Sequence, residues 1–438
     1  MQPSPPVPTP VVEVHHLRDL TPEQRRCGFA AWLGWLFDGL DSYLYVLVAA
    51  TFVAQLLHTK PGDKSVQEHT SYIQAAFLVG WALGGAVFGR IGDRFGRSRT
   101  ISLTILTYAL CTGLSTFAQT WQQLLVFRFL AALGIGGEWA AGSSLVAETW
   151  PRKWRPWASA ALQSAYQCGL LLAIFATFFF RDEQSVKYVF LVGAAPALIC
   201  FWIRRAIPEP EEWNKAHNAA GQRQPAVSDL FRGEVLRTTV LTILVCSASL
   251  TTVWALIFWF PQQLRQVPDV KSMAKDAQRV YILQATILVN VVAIAGNFFA
   301  AAIARAWGYR KAVATMFVGG FVFMMLTYAW QHDHITILFF APFAHFFVQG
   351  IFGLFPLYIP PLFPTLLRTT GAGFCYNIGR VVAAIGTIVF GIYAHVDNQA
   401  QALVYVGWLY IPALVIAALI PEPESVSAGS LSLPASGR

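Results

Sequence analysis

The sequence predicts an all-α membrane protein of twelve transmembrane helices arranged as two pseudo-symmetric six-helix bundles. Three observations predict it. Of its 438 residues, 55% are hydrophobic and only 12% charged, against about a quarter charged in soluble domains. Apolar stretches of about 20 residues, each long enough to cross a bilayer, recur along the whole length. The two halves also repeat at a fixed offset. IPEP stands at Ile207–Pro210 and again at Ile420–Pro423, 213 residues on. Pro151 and Arg155 map to Pro364 and Arg368 at the same offset, and Arg94-Phe95-Gly96-Arg97 has a weaker echo in Ala306-Trp307-Gly308-Tyr309 at 212.

The apolar runs place spans at about 28–57, 71–92, 98–118, 121–147, 157–180, 187–204, 237–262, 280–304, 311–330, 335–362, 369–394 and 401–420. Residues 1–26, with the proline-rich MQPSPPVPTP, read as a disordered tail. They lack a basic head followed by a short apolar run, so no cleaved signal peptide is expected. Residues 27–204 form the first bundle, 205–236 a polar linker, 237–420 the second bundle and 421–438 a second disordered tail. The net charge of +8 does not point to nucleic acid, because its distribution follows the membrane. Of 31 Lys and Arg, 21 fall on one side and 8 on the other, with Arg128 and Arg380 inside spans. The richer side is expected to be cytoplasmic and to hold both termini, in a plasma or inner membrane. The six cysteines fall in or beside spans without CxxC or metal-ligand spacing, and read as small apolar fillers.

Between spans 2 and 3 lies GRIGDRFGRSR, Gly89 to Arg99. Its glycines permit a tight turn and close helix approach. Asp93 can cap a helix or pair with a neighbouring arginine, a contact able to form and break. The loop resembles the hallmark of the major facilitator superfamily: G, three residues, D, R, one residue, G, R, one residue, R. In the second half Arg305 stands where Asp93 would, so the first-half loop is expected to carry most of a cytoplasmic gate built on Gly89, Asp93, Arg94, Gly96 and Arg97. RFLAALGIGGEWAAGSS, Arg128 to Ser144, resembles the superfamily's fourth helix. AAWLGWLFDGLDS, GIGGEWAAGSSLVAETWP, RRAIPEPEEWNKAH and RTTGAGFCYNIG resemble the sialate:proton symporter family, which includes fungal lactate and pyruvate permeases. The DG-x-D core is also similar to aromatic-acid:proton symporters. Span 7, VCSASLTTVWALIFWF, lacks the polar signature of the fungal permeases, and the chain has no room for the two extra central helices of the sialic-acid branch. The resemblance implies a proton-coupled organic-acid carrier. It also implies a coupling role for Arg128, the alternative being a structural hydrogen-bond hub, and a pairing of Glu148 with loop arginines such as Arg97.

The charges inside the spans carry the chemistry. Each costs roughly 2.5–3.5 kcal/mol if exposed to lipid, so Asp38, Asp41, Arg128, Glu138 and Arg380 must face a cavity or one another. Asp38 and Asp41, three residues apart, share a helix face. Asp41 lies about 20 Å along span 1, near the midplane. Neighbouring carboxylates in a partly desolvated site repel, which favours proton uptake. Asp41 is expected to carry the proton, with Arg128 and Glu138 as further proton-coupling candidates and Asp38 either sharing that role or partnering a backbone group or arginine. Arg380, in CYNIGRVVAAIG, is suited to grip a carboxylate through two parallel hydrogen bonds. The alternative is a fixed ion pair with Asp38, Asp41 or Glu138. Asn377, Gln163 and Gln167 are candidate substrate ligands, Gln167 being the 213-offset mate of Arg380. His345 is a candidate proton shuttle or a packing residue. Trp254, Phe258 and Tyr376 are candidate cavity walls, and the other aromatics are expected at lipid and interface.

The reading is a monomeric secondary carrier of a small organic monocarboxylate. Arg380 would hold the anion and a proton would balance its charge. A carrier of a neutral or cationic solute, or an efflux antiporter, is the alternative, and a non-transporting sensor a distant third. Enzymatic activity has no support: no nucleophile–base motif, metal-ligand cluster or GxxxxGK[ST] loop occurs. No cofactor beyond the coupling proton is expected.

Overall fold

The computed structural model describes residues 17–60, 63–177, 185–196, 198, 202, 207–219, 226–393 and 399–421. Most of the two expected tails, and part of span 6, lie outside the described residues, as does the side chain of Phe258. Apart from one-turn pieces, the helices in chain order are α1 (Pro22–Leu56), α2 (Lys64–Phe95), α3 (Arg97–Ser115), α4 (Trp121–Thr149), α5 (Arg155–Thr177), α6 (Val189–Ala194), α7 (Glu211–Ala219), α8 (Gly233–Gln266), α9 (Lys275–Trp307), α10 (Tyr309–Tyr328), α11 (His334–Gly350), α12 (Arg368–Tyr393), α13 (Gln399–Gly407) and α14 (Tyr410–Leu419). The described residues hold no strand. Among the described residues, eight helical segments are long and apolar enough by themselves to cross a membrane. Large apolar side chains such as Val79, Leu110, Phe117 and Phe339 are exposed on the outside, as a lipid-facing surface requires.

Two expected boundaries move. The first helix starts at Pro22, inside the segment expected to be a disordered tail. Thr21 accepts a hydrogen bond from the Gln24 amide while the Gln24 side chain accepts one from Thr21 N–H, and this capping box starts the helix five residues early. The linker is also not merely a polar connection. It contains α7, whose Trp213 is buried and donates from Nε1 to the Asp93 carbonyl at 2.9 Å.

The internal repeat is visible in the backbone. Gly96 and Gly308 both adopt positive φ, 104° and 91°, at the turns into α3 and α10. This is the left-handed region open to glycine without strain. Pro151 and Pro364 each precede a 3-10 turn, Arg152–Trp154 and Thr365–Leu367, that runs into α5 or α12. The isoleucine carbonyls of the two IPEP motifs are caught in equivalent ways. Ser98 Oγ donates to the Ile207 carbonyl at 2.9 Å, and Arg310 donates to the Ile420 carbonyl at 2.9 Å.

Small residues bring the helices together. A side chain at Gly84 or Gly136 would strike the backbone of the facing helix, so α2 and α4 pack backbone to backbone. Gly39 and Gly169 do the same for α1 against α5. Between the halves, α2 packs on α12 and α5 on α9.

Candidate substrate and proton site

A cavity of about 60 Å³ lies between the two halves. Arg380, from α12, reaches it and is 4% exposed. The guanidinium lies 3.8 Å from the centre of the Trp81 ring and 5.0 Å from that of Tyr376, and donates to Asn377 Oδ1 at 2.7 Å. Asn377 in turn donates to the Gly373 carbonyl at 2.8 Å, so it orients Arg380 from behind. Among the described residues Arg380 forms no ion pair with any carboxylate, and its Nε has no hydrogen-bond partner. The guanidinium is therefore presented to the cavity with donors to spare.

Gln163 and Gln167 of α5 line the same cavity, each with a buried carbonyl oxygen that has no partner. Gln167 and Arg380, mates under the repeat, thus meet across it. Trp254 and Tyr376 are also wall residues, as is Trp81, which nothing in its sequence context distinguishes from the other tryptophans. Trp139 of the first half stacks on Tyr376 of the second with ring centres 4.2 Å apart, and Trp81 meets Trp254 edge-on at 6.5 Å. These contacts close the cavity between the halves. His345 stands one layer back. It is buried against Phe260, and its Nδ1 is 2.8 Å from Gln349, which does line the cavity.

The two aspartates of α1 have different surroundings. Asp41 is ion-paired with Arg128 of α4: Oδ2 to Nη2 is 3.0 Å and Oδ1 accepts from Nη1 at 3.1 Å. Thr112 of α3 donates a short hydrogen bond to the same Oδ1. The Arg128 guanidinium is boxed by the rings of Tyr45, Phe77 and Phe190. Asp38 turns instead toward Glu138 of α4, and the two buried carboxyls lie within hydrogen-bonding reach of each other. None of their four oxygens accepts from a donor among the described residues. Gly34, one turn before Asp38, makes the room, because a side chain there would overlap Glu138 Oε1.

The loop residues gather at one end of the bundle. Asp93 accepts hydrogen bonds from the amides of Thr369 and Thr370 at 3.2 and 2.7 Å, capping the N-terminus of α12 in the other half. Arg97 pairs with Asp93 at 3.2 Å and Glu148 at 2.8 Å, and donates to the Thr365 carbonyl at 2.7 Å. Arg368 bridges Glu148 and Glu212 at 3.1 and 2.9 Å. Gly89 and Gly92 let α2 lie against Thr369 and Thr370. The Glu209 carboxylate accepts from the Ser98 and Arg99 amides at the start of α3, beside the Gly96 turn. Arg94 is exposed over the Phe95 ring and joins none of these contacts. In the second half, Arg305 lies over Trp154 of the first at 5.4 Å. Sequence reasoning missed Thr112, Thr369, Thr370, Glu209, Glu212 and Trp213. For all but Thr112 the signal was that IPEPEEW and RTTG stood out as motifs without an assigned partner, and Thr112 had none.

Two helical bundles related by an internal repeat, closed over a buried, cation-bearing cavity, define a secondary transporter rather than an enzyme. The chain belongs to the Major Facilitator Superfamily, whose family model matches residues 31–387. It is similar to the sialic acid transporter NanX of Escherichia coli (strain K12), at 26% identity over 86% of this chain and 90% of that one. It is likewise similar to the cis,cis-muconate transport protein of Acinetobacter baylyi, at 28% identity over 89% of this chain and 96% of that one. Among solved structures it is similar to the proton:xylose symporter XylE bound to 6-bromo-6-deoxy-D-glucose. The TM-score is 0.74 with 16% identity, covering 91% of this chain and 96% of that chain, which bears on the fold alone.

Proposed function

We propose that this transporter carries a small organic monocarboxylate together with a proton, by alternating access in an inner membrane. The observation that carries the reading is Arg380, a buried guanidinium at the cavity between the halves with no carboxylate paired to it among the described residues. A substrate carboxylate would supply the missing partner through two parallel hydrogen bonds. Sialic acid and muconic acid, named for two relatives, are carboxylic acids, which agrees with this choice. Trp81, Trp254 and Tyr376 offer flat apolar walls, which favour a planar, unsaturated acid over a polyol. Gln163 and Gln167 would bond a polar substituent at its far end. The Asp93–Arg97–Glu148 end is read as the cytoplasmic gate in its closed state, in keeping with the distribution of basic residues.

The test is proton uptake by protein in liposomes, on addition in turn of nicotinate, benzoate, muconate, lactate, sialate and a neutral sugar. A planar acid is expected to alkalinise the outside, and Arg380→Ala to abolish the signal. Arg380→Lys, which keeps the charge but loses the fork, should weaken apparent affinity roughly 10-fold or more. A signal from the sugar alone, unaffected by Arg380→Ala, would sink the anion site.

A further inference from the structure

Four carboxamide side chains, Gln163, Gln167, Asn290 and Gln349, line the cavity between the halves. A carboxamide has two different ends, an oxygen that accepts hydrogen bonds and a nitrogen that only donates them. Gln163 and Gln167 are not tied to a protein partner among the described residues, so each can turn to suit a ligand. Asn290 and Gln349 are held. Asn290 Nδ2 donates to the Thr286 carbonyl, one turn back on α9, at 2.8 Å. Gln349 Nε2 lies 2.8 Å from His345 Nδ1, one turn back on α11. The two helices pack on each other. Both amide nitrogens are thus anchored to the wall, and among the described residues no donor reaches either oxygen.

His345 sets the polarity of Gln349. The amide nitrogen can only donate, so the 2.8 Å contact makes His345 Nδ1 the acceptor. The imidazole proton then sits on Nε2, a buried atom with no partner among the described residues. The ring is 2% exposed and stands edge-on to Phe260 at 5.0 Å, so close packing holds it in one orientation.

We propose that Asn290 and Gln349 form an acceptor subsite that recognises a hydroxyl or N–H group on the transported acid, with His345 as the positioning residue that leaves the Gln349 oxygen free for it. This deepens the carboxylate reading and rests on it. Arg380 takes the carboxylate, and the subsite takes a donor elsewhere on the same molecule. The substrate class is then a hydroxy- or amino-substituted acid. An acid whose other polar atom only accepts, such as nicotinate, leaves both oxygens unpaired once the cavity is filled, and an unpaired buried acceptor is costly. His345 itself stays behind Gln349 and does not touch the substrate.

Two measurements test this, the first without any ligand. Nitrogen-15 NMR of histidine-labelled protein reads the tautomer. Of the nine histidines, the one whose signals vanish in His345→Gln should carry its proton on Nε2 and have a bare Nδ1. A proton on Nδ1 would overturn the proposal, because Gln349 would then turn its oxygen to His345 and its nitrogen to the cavity. The second measurement is calorimetric binding of 4-hydroxybenzoate, 4-methoxybenzoate and nicotinate to the purified protein. The hydroxy acid should bind roughly 3- to 10-fold more tightly than the other two. Gln349→Leu and His345→Phe should each bring that ratio toward one. His345→Gln, whose own oxygen can accept from Gln349, should retain it. A purely structural His345 would weaken all three acids alike in His345→Phe and leave the ratio unchanged, which contradicts the positioning role. Equal affinities in the wild type, lost together in Arg380→Ala, would remove the acceptor subsite and keep the carboxylate site. Failure of all three acids to bind, or binding undiminished in Arg380→Ala, would overturn the carboxylate reading and the substrate class with it. The tautomer would still decide which end of Gln349 faces the cavity.

Discussion

Asp38 and Asp41 sit three residues apart on one helix, are equally buried, and have opposite surroundings. Asp41 has a guanidinium 3.0 Å from Oδ2 and a threonine hydroxyl donating to Oδ1. Asp38 has another acid. The difference comes from the helix opposite. Arg128 and Glu138 are ten residues apart on α4, so one meets each aspartate as α4 passes α1. The same residue type at nearly the same depth becomes an ion-pair member in one place and the neighbour of a second acid in the other. Sequence reasoning named Asp41, Asp38, Arg128 and Glu138 together as proton-coupling candidates, and the structure sorts them into an ion pair, Asp41 with Arg128, and two neighbouring acids, Asp38 and Glu138.

The strongest way to break this comparison is to remove Arg128. Arg128→Ala leaves Asp41 buried without its cation, and should cost about 3–5 kcal/mol of stability. A large fall in thermal midpoint is expected, and the added change Asp41→Asn should recover most of it. If Arg128→Ala folds normally, Asp41 is not the fixed partner described here.

The gate offers a parallel contrast between the halves, with the next largest effect. Asp93→Ala removes two charge-assisted bonds to the α12 N-terminus, each worth about 1.5–3 kcal/mol, and one partner of Arg97. Distances between spin labels across this end should lengthen as the open state gains population. Unchanged distances would mean that Glu148 and its arginines close the gate alone.

Gly34→Ala sharpens the first comparison more gently. The added methyl meets Glu138, so the acid pair must shift at a cost of about 1–3 kcal/mol. Proton-coupled uptake should fall further than thermal stability does, while the equivalent change at Gly142, where contacts are ordinary, should affect neither strongly. The smallest effect is expected at Arg305, whose stacking on Trp154 is exposed. Arg305→Ala should cost about 0.5–1 kcal/mol, with only a minor change in the same spin-label distances. A shift as large as that of Asp93→Ala would show that the second-half loop is no weaker than the first.

Much of this molecule was legible in its amino acids. Hydrophobic run length sets where a chain can cross a bilayer, and a shared offset of 213 residues reveals two copies of one bundle whatever their contacts. The loop glycines and Asp93 were readable because turns and caps are local. A charge placed inside a span also announces that it must be neutralised, since lipid offers no hydrogen bonds. Which partner neutralises it was not readable. A helix periodicity of 3.6 assigns residues to a face but says nothing about which helix lies against that face, or at what height. Thr112 lies 71 residues from Asp41, the α12 amides 276 and 277 from Asp93, and Trp81 in the other half from Arg380, and ordinary threonines and tryptophans carry no mark of such use. Only the packed bundle, in which glycines fix how closely and at what register the helices meet, decided that Arg128 reaches Asp41, that Glu138 reaches Asp38, and that Arg380 keeps its donors for the cavity.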